Sequence, residues 1–171
     1  MLSQPARNLA LILPGIVVAA TISACAGQGA ASATRTQQAS GSAYPEATGS
    51  DAVGAQAAQV AVGQLGVPYR YGGSDTAGFD CSGLVQYAYA SVGKSVPRTT
   101  TALWQYARPV PRSDLQPGDI LFFNVSGKMS HVGLYLGLQQ FVHAPSTGRE
   151  VAIASLDSDY YRQAFIRAGR P

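Results

Sequence analysis

Charge, cysteine and histidine are all scarce in this chain. Charged side chains make up 12% of its 171 residues, and the formal net charge is only +3. The basic residues are scattered and form no Lys/Arg run, which excludes the charge pattern of a nucleic-acid-binding protein. Two cysteines and two histidines without tight spacing also provide no basis for a structural zinc site. We therefore expect neither nucleic acid nor a metal ion as a partner.

The apolar run at residues 9–20 is too short to span a bilayer comfortably. Arg7 is the only charge before it, and Pro14 and Gly15 interrupt it. A single early charge followed by a short apolar run is typical of a secretory signal peptide. We place this signal at residues 1–24.

The end of the predicted signal, Ile22-Ser23-Ala24-Cys25, resembles the lipobox of bacterial lipoproteins. That resemblance implies cleavage before Cys25, diacylation of its sulfur and acylation of the new N-terminus. Each buried CH₂ contributes about 0.8 kcal/mol, so several acyl chains anchor a protein far more firmly than one. The alternative is an ordinary cleaved signal in which Cys25 is incidental.

Residues 25–54 are predicted to form a disordered tether behind the lipidated cysteine. They are mostly Ala, Gly, Ser, Thr and Gln, with one aromatic side chain, Tyr44. Such a segment cannot bury enough apolar surface to offset the entropy of ordering it. The root-mean-square end-to-end distance of a flexible chain is about 5 to 6 Å times the square root of its number of residues, which gives roughly 30 Å for this segment.

Cys81 lies where a Gly-rich loop meets an apolar pattern of helical spacing. Asp80 is a good N-cap, and Leu84, Val85 and Ala88 follow at the spacing of one helix face. A thiol in the first turn of a helix is near unpaired N–H groups and the positive end of the helix dipole, both of which stabilise a thiolate. The sequence therefore makes Cys81 a candidate nucleophile; the alternative is a small buried apolar residue.

The remaining pattern predicts helices first and strands second. Asp51 is expected to cap a helix at residues 55–65, a second helix should run from Cys81 to about Gly93, and a short third one should cover 103–106. Strands are predicted at residues 120–123, 131–136, 140–143, 150–153 and 164–166. This order favours an α+β domain with an antiparallel sheet, which we place at residues 55–171.

His131 and His143 both lie in the predicted hairpin of 131–136 and 140–143. Side chains alternate along a strand, so a three-residue loop at 137–139 puts both histidines on one face. That loop pairs Leu136 with Gln140 and leaves the imidazoles as diagonal neighbours, with Gly133 leaving room between them. We expect the two rings to be within reach of one another, as a base and the group that orients it.

Six sequence blocks together resemble the NlpC (NlpC/p-sixty) family of bacterial cell-wall peptidases. They are VPYRYGG at 67–73, FDCSGLVQY at 79–87, PRTT at 97–100, QPGDILFF at 116–123, SHVGLYLG at 130–137 and FVHAP at 141–145. The resemblance implies a reduced papain-like α+β domain, with helices packed on an antiparallel sheet. It also implies a Cys-His-His hydrolase that acts on peptidoglycan stem peptides without a cofactor.

The resemblance also implies roles for individual residues. Cys81 is then the nucleophile, His131 the general base and acid, and His143 the group that orients His131. The hydroxyl of Tyr69 is expected near the thiol, where it helps to hold an oxyanion, unless the ring only packs under a loop. Asp80 and Ser82 are expected to contact substrate, although capping alone accounts for Asp80.

Several functions remain open at this stage. Family members cleave either γ-D-glutamyl-diaminopimelate or D-alanyl-diaminopimelate bonds, and the sequence does not separate them. The rivals are a Cys-His amidase or acyltransferase, and a non-catalytic envelope lipoprotein that binds muropeptides or partner proteins. The lipobox, with no Asp at position 26, resembles sorting to the outer membrane facing the periplasm, where adaptor or regulatory proteins are further expected partners.

Overall fold

The computed structural model describes residues 49–125 and 127–171. The predicted signal peptide, Cys25 with its lipid anchor, and the predicted tether up to residue 48 lie outside the described residues. Within the described ranges, no helix is long and apolar enough to cross a membrane.

The first helix, α1, spans Gly49–Val62 and begins earlier than predicted. Asp51 therefore lies within the helix rather than capping it, and the folded domain starts before residue 55. Ala57 and Ala61 are fully buried, as the predicted apolar face requires. The C-terminal turns continue to Gly66, whose φ of +83° is readily adopted only by glycine.

The second helix, α2, spans Cys81–Ser91 and begins at the predicted residue. Its N-cap is Asp80, and it buries Leu84, Val85 and Ala88 as their spacing predicts. The third helix, α3, spans Thr100–Tyr106 and is capped by the side chain of Thr99. Both caps satisfy N–H groups that a helix leaves unpaired in its first turn.

In residues 49–125 and 127–171, eight strands form two sheets. The first sheet has two strands, β1 (Ser74–Asp75) and β2 (Gly78–Phe79), just before α2. The second sheet has six strands in the order β3-β8-β4-β5-β6-β7, and all its neighbours are antiparallel. Its strands are β3 (Arg108–Val110), β4 (Ile120–Val125), β5 (Lys128–Gly137), β6 (Gln140–His143), β7 (Ala152–Ser155) and β8 (Phe165–Arg170).

Alternation along β4 divides the core between the two faces of this sheet. Ile120 and Phe122 belong to the larger cluster, which contains buried residues of α1, α2 and α3. Leu121 and Phe123 belong to a second cluster with Ala164. Burying such side chains contributes about 1.5 to 3 kcal/mol each, so the fully buried run at 120–123 ties both layers to one strand. The predicted α+β class is confirmed.

The C-terminal region differs most from the sequence prediction. A short helix, α4 (Asp159–Ala164), precedes β8, so Ala164 ends a helix rather than beginning a strand. Likewise β7 starts at Ala152, and Glu150 makes only an isolated bridge to Pro68. Strand β3 and the 3₁₀ turn Arg112–Asp114 were not predicted either. Elements this short do not complete the hydrophobic period from which helices and strands are predicted.

The hairpin of β5 and β6 keeps the predicted register but not the predicted loop. Gly137 pairs with Gln140, so the loop has two residues, Leu138 and Gln139, both with positive φ. A bulge between Tyr135 and Gly137 absorbs one residue. Beyond it, Tyr135 pairs with Phe141 and Leu134 with Val142, which is the register that the three-residue loop predicts.

Candidate active site

Asp80 holds the start of α2 against the loop in front of it. Its Oδ1 accepts a hydrogen bond of 2.7 Å from Gly83 N, and its Oδ2 accepts one of 3.0 Å from Gly72 N. One carboxylate therefore caps the helix and fixes the loop that precedes Cys81. Because Cys81 is the next residue, the position of the thiol depends on this carboxylate.

Arg98 completes the network around Asp80. It donates to both carboxylate oxygens at 2.9 and 2.7 Å, and also to Ser82 Oγ at 2.9 Å. A bidentate guanidinium pair of this kind fixes orientation as well as charge. Burial tends to raise the pKa of Asp80, but the hydrogen bonds and charge of Arg98 together with the two backbone donors hold it below its usual range. Both Asp80 and Ser82 bind Arg98 in this structure. Their expected contacts with substrate therefore stay predictions.

Two glycines allow the loop to lie directly on α2. A Cβ on Gly83 would be 2.0 Å from the carbonyl oxygen of Gly73, and a Cβ on Gly73 would be 2.2 Å from that of Gly78. Such separations exclude any side chain. The Gly-rich loop therefore packs backbone to backbone against the first turn of the helix that begins at Cys81.

The Cys81 thiol lies against the stretch of β5 that carries His131. Its Sγ is 3.8 Å from the carbonyl oxygen of Ser130 and 3.9 Å from Thr100 Oγ1. The N–H of Val132 also reaches the sulfur, so the thiol contacts the backbone on both sides of His131. Within the described residues, neither imidazole is a hydrogen-bond partner of the sulfur.

Burial raises the pKa of the Cys81 thiol, which is the opposite of the helix-start expectation. The N–H groups of Val132 and Ser82 and the Thr100 hydroxyl lower it, but the loss of water outweighs them and the Asp80 carboxylate adds to the rise. The resting form is therefore the neutral thiol. A base must remove its proton when the thiol reacts.

His131 and His143 meet as the hairpin register predicts. His131 Nε2 lies 2.8 Å from His143 Nδ1, and the ring centroids are 5.0 Å apart at 78°. Gly133 does not leave open space between them, because a Cβ there would lie 2.6 Å from the Phe141 ring. Phe141 instead packs against His143, with ring centroids 5.0 Å apart, and holds it from one side.

Both imidazoles are neutral at physiological pH. Burial lowers the pKa of His131 to about 4. Burial, the neighbouring His131 and the charge of Arg149 lower the pKa of His143 to about 3. Because Nε2 of His131 is taken by His143, its Nδ1 is the nitrogen left to accept a proton.

Two tyrosines belong to the site, one beside His143 and one near Cys81. The Tyr161 hydroxyl is 3.4 Å from His143 Nε2, and its ring lies edge-on to His143 with centroids 5.4 Å apart. Tyr69 is paired with Phe79 by an isolated bridge. Burial raises the pKa of Tyr69, and the nearby Cys81 and Asp80 add to the rise, so its hydroxyl stays protonated and able to donate.

A cleft of about 1060 Å³ brings these groups together. Tyr69, His131, His143 and Tyr161 all line it. Cys81 is half-buried beside this wall and is not among the lining residues. In the part of the chain that the structure describes, no group of three or more His, Cys, Asp and Glu side chains is placed to hold a metal ion.

Comparison with known proteins identifies the fold on which this site is built. The family model for the NlpC/P60 family matches residues 66–170, which include all six sequence blocks. The chain belongs to the NlpC/P60 family. The papain-like α+β fold expected from the sequence is thereby confirmed.

The relatives of this NlpC/P60 protein differ in how much of their length it covers. Murein DD-endopeptidase MepH of Escherichia coli is 44% identical over 113 residues, which are 63% of this chain and 42% of MepH. Murein DD-endopeptidase MepS/Murein LD-carboxypeptidase of E. coli is 35% identical over 98% of this chain and 96% of its own length. The chain therefore spans less than half of MepH but nearly all of MepS.

A solved structure shows the same fold. It is a protein of Staphylococcus aureus described as similar to a lipoprotein of the NLP/P60 family, with a TM-score of 0.63 and 31% identity. The match covers 70% of this chain and 41% of that one. At this identity the likeness extends beyond chain topology to sequence.

Three contacts of the site were not anticipated from the sequence. Arg98 stands in a recognised block, but its bond to Asp80 joins residues 18 positions apart. Tyr161 lies on α4, a helix too short to predict, and Arg149 lies in the loop after β6. For Tyr161, the one sequence signal is the doublet Tyr160-Tyr161 near a run of polar residues. A doublet does not indicate which residue the ring contacts.

Proposed function

We propose that this chain is a peptidoglycan hydrolase, a cysteine endopeptidase that cleaves stem peptides or their cross-links. The observation that carries the proposal is the 2.8 Å contact between His131 and His143, beside the backbone on which the Cys81 thiol rests. It supports the assignment of Cys81 as nucleophile, His131 as general base and acid, and His143 as the group that orients His131. The relatives named murein endopeptidases support the substrate class.

Proton positions follow from the hydrogen-bond geometry. For Nδ1 of His131 to accept the thiol proton, its Nε2–H must donate to His143 Nδ1. His143 then carries its own proton on Nε2, where the Tyr161 oxygen can accept it. The same arrangement stabilises the imidazolium formed during reaction, because His143 Nδ1 remains an acceptor.

The reaction balances without a cofactor. Cys81 transfers its proton to His131 and its sulfur attacks the peptide carbonyl carbon, forming a tetrahedral oxyanion. N–H groups at the start of α2 and the Tyr69 hydroxyl stabilise that charge. The C–N bond then breaks as His131 protonates the leaving amine. Water, deprotonated by His131, hydrolyses the thioester and regenerates the thiol.

The proposal extends to location and domain organisation. Residues 1–24 are a lipoprotein signal, Cys25 carries the lipid, a tether follows, and the catalytic domain begins near Gly49. The S. aureus protein described as similar to a lipoprotein supports the lipid anchor. We therefore propose that the enzyme acts in the bacterial envelope, at the periplasmic face of the outer membrane. Metabolic labelling with a fatty acid should mark the wild type and not Cys25→Ser.

The decisive experiment is digestion of purified peptidoglycan, with the released fragments identified by mass. A new free amine on diaminopimelate, with D-alanine or D-glutamate at the other end, identifies an endopeptidase and the bond it cuts. Loss of the whole peptide from muramic acid would instead indicate an amidase. Binding without any fragment would favour the non-catalytic envelope protein.

A further inference from the structure

One cation of the cleft has no carboxylate or carbonyl partner among the residues that the structure describes. Most basic side chains in the described ranges are engaged by a carboxylate or a carbonyl group. The described basic side chains without such a partner among the described residues are Arg70, Arg108, Lys128 and Arg149. Of these four, only Arg149 lines the cleft that contains His131 and His143.

The backbone around Arg149 is firmly held although its side chain is exposed. Its N–H donates to Ser146 O at 3.0 Å, and its carbonyl accepts from Tyr69 N at 2.8 Å. Val151 continues this short ladder by donating to Val67 O at 2.8 Å. The guanidinium therefore extends from a fixed point on the same wall as Tyr69.

The charge of Arg149 acts on the catalytic groups proposed above. It contributes to the lowered pKa of His143, and it opposes the burial that raises the pKa of Tyr161. Glu150 lines the cleft too, but no ion pair joins it to Arg149 within the described ranges. Of the described residues that line the cleft, Arg149 is thus the one with a permanent positive charge.

We propose, building on the peptidase function proposed above, that Arg149 is a subsite for a free carboxylate of the stem peptide. A guanidinium fits a carboxylate with two parallel N–H···O bonds, which a carboxamide cannot match because it offers one oxygen and no charge. Apart from the C-terminal carboxylate of D-alanine, two carboxylates of a stem peptide lie along the peptide, and we assign Arg149 to one of these: the α-carboxylate of D-glutamate or the free carboxylate of the diamino acid. Amidation of the one that binds Arg149 removes the recognised group.

The test compares four synthetic cross-linked muropeptides as substrates of the wild-type protein. One has both carboxylates free, one is amidated on D-glutamate, one on the diamino acid, and one on both. We expect kcat/KM to fall about 10- to 100-fold for one of the single amidations, which identifies the carboxylate, as expected for a lost charge-assisted pair. Equal rates on all four substrates would overturn the subsite.

Arg149→Gln should lower kcat/KM on the free-acid substrate by the same factor and should no longer distinguish it from the amidated one. Arg149→Lys should recover part of the difference, since it keeps the charge but not the fork. Arg108→Gln is the matched control, because Arg108 is exposed on β3 and does not line the cleft. Undiminished discrimination in Arg149→Gln would refute the assignment.

Binding separates this subsite from the peptidase function itself. In Cys81→Ala, the dissociation constants of the four muropeptides can be measured by calorimetry without turnover. Tighter binding of the free acid, lost when Arg149→Gln is added, supports the subsite even if the wild type cleaves none of the four. Equal binding of free and amidated peptides in Cys81→Ala contradicts it even if cleavage is rapid.

Discussion

His131 Nε2 and His143 Nδ1 are 2.8 Å apart across neighbouring strands, and this contact limits each ring to one acid-base role. Two neutral imidazoles share one hydrogen there, so one must donate and the other accept. If His131 donates, its Nδ1 is free to act as a base. The proposed chemistry therefore depends on the β5–β6 register, which a slip of one residue would destroy.

Replacing the proposed nucleophile or the proposed base should abolish activity. We expect Cys81→Ala and His131→Ala to give no muropeptide cleavage. Among the described residues, no other side chain supplies a thiol, or a neutral base next to that thiol. His143→Ala should retain some activity, since it removes only the group that orients His131. Fragments are measured by mass after incubation with peptidoglycan. Thermal unfolding of each variant serves as the control, and full activity of folded Cys81→Ala would eliminate the nucleophile assignment.

Tyr161→Phe should lower kcat by about 3- to 10-fold, the usual value of a single neutral hydrogen bond. The substitution removes the oxygen near His143 Nε2 and keeps the ring that packs on Phe123 and Phe141. We expect KM to change little. The control is Tyr160→Phe, because Tyr160 lines the same cleft and is 58% exposed. Equal effects of the two substitutions would contradict a specific role for Tyr161.

The elements that could be predicted from sequence are those with local signals. The start of α2 follows from a capping carboxylate and an apolar face within a few residues of Cys81. The meeting of His131 and His143 follows from strand parity. Even there the loop was wrong, and the register survived because a bulge at Leu136 compensated for the shorter turn.

The contacts that could not be predicted join distant parts of the chain. The ladder between residues 66–69 and 149–151 has no sequence signature, yet it sets the position of Arg149 beside Tyr69. The pKa of the thiol was also misjudged, because a helix start suggests stabilised charge while burial depends on the whole fold. Local patterns thus locate the candidate reactive groups, and tertiary packing determines their protonation.

Arg98→Ala should destabilise the fold by about 1 to 3 kcal/mol, the range for hydrogen bonds to charged groups. It leaves Asp80 with its two backbone donors but without its counter-ion, and the Asp80 side chain is only 13% exposed. Urea unfolding gives the change in free energy. Arg162→Ala is the matched control: its pair with Asp159 is 57% and 85% exposed, so the expected loss is below about 1 kcal/mol. Equal losses of unfolding free energy in the two variants would show that the Asp80 network stabilises the fold no more than an exposed ion pair does.

The Cys81 thiol should react as a neutral thiol rather than a preformed thiolate. Because burial raises its pKa, we expect the rate of iodoacetamide alkylation to be low at pH 7 and to climb through the alkaline range. Mass spectrometry of the Cys25→Ser variant measures Cys81 alone. A rate already constant between pH 5 and 8 would reveal a thiolate paired with an imidazolium, contrary to the neutral pair described above.

Acidification should destabilise the domain before its carboxylates are protonated. Unfolding exposes His131 and His143, whose pKa values return from about 4 and about 3 towards 6.5. Between these values the unfolded chain binds more protons than the folded one, so stability is complete above about pH 6.5 and falls as pH drops towards the folded values. The slope of the free energy of unfolding against pH should reach about 1.4 kcal/mol per pH unit for each histidine.

Urea unfolding from pH 7.5 to 4.5 measures this slope, and His143→Gln should reduce it by about half because one buried base remains. A free energy of unfolding that stays constant across this range would mean that the imidazoles are already charged, or solvated, in the folded state.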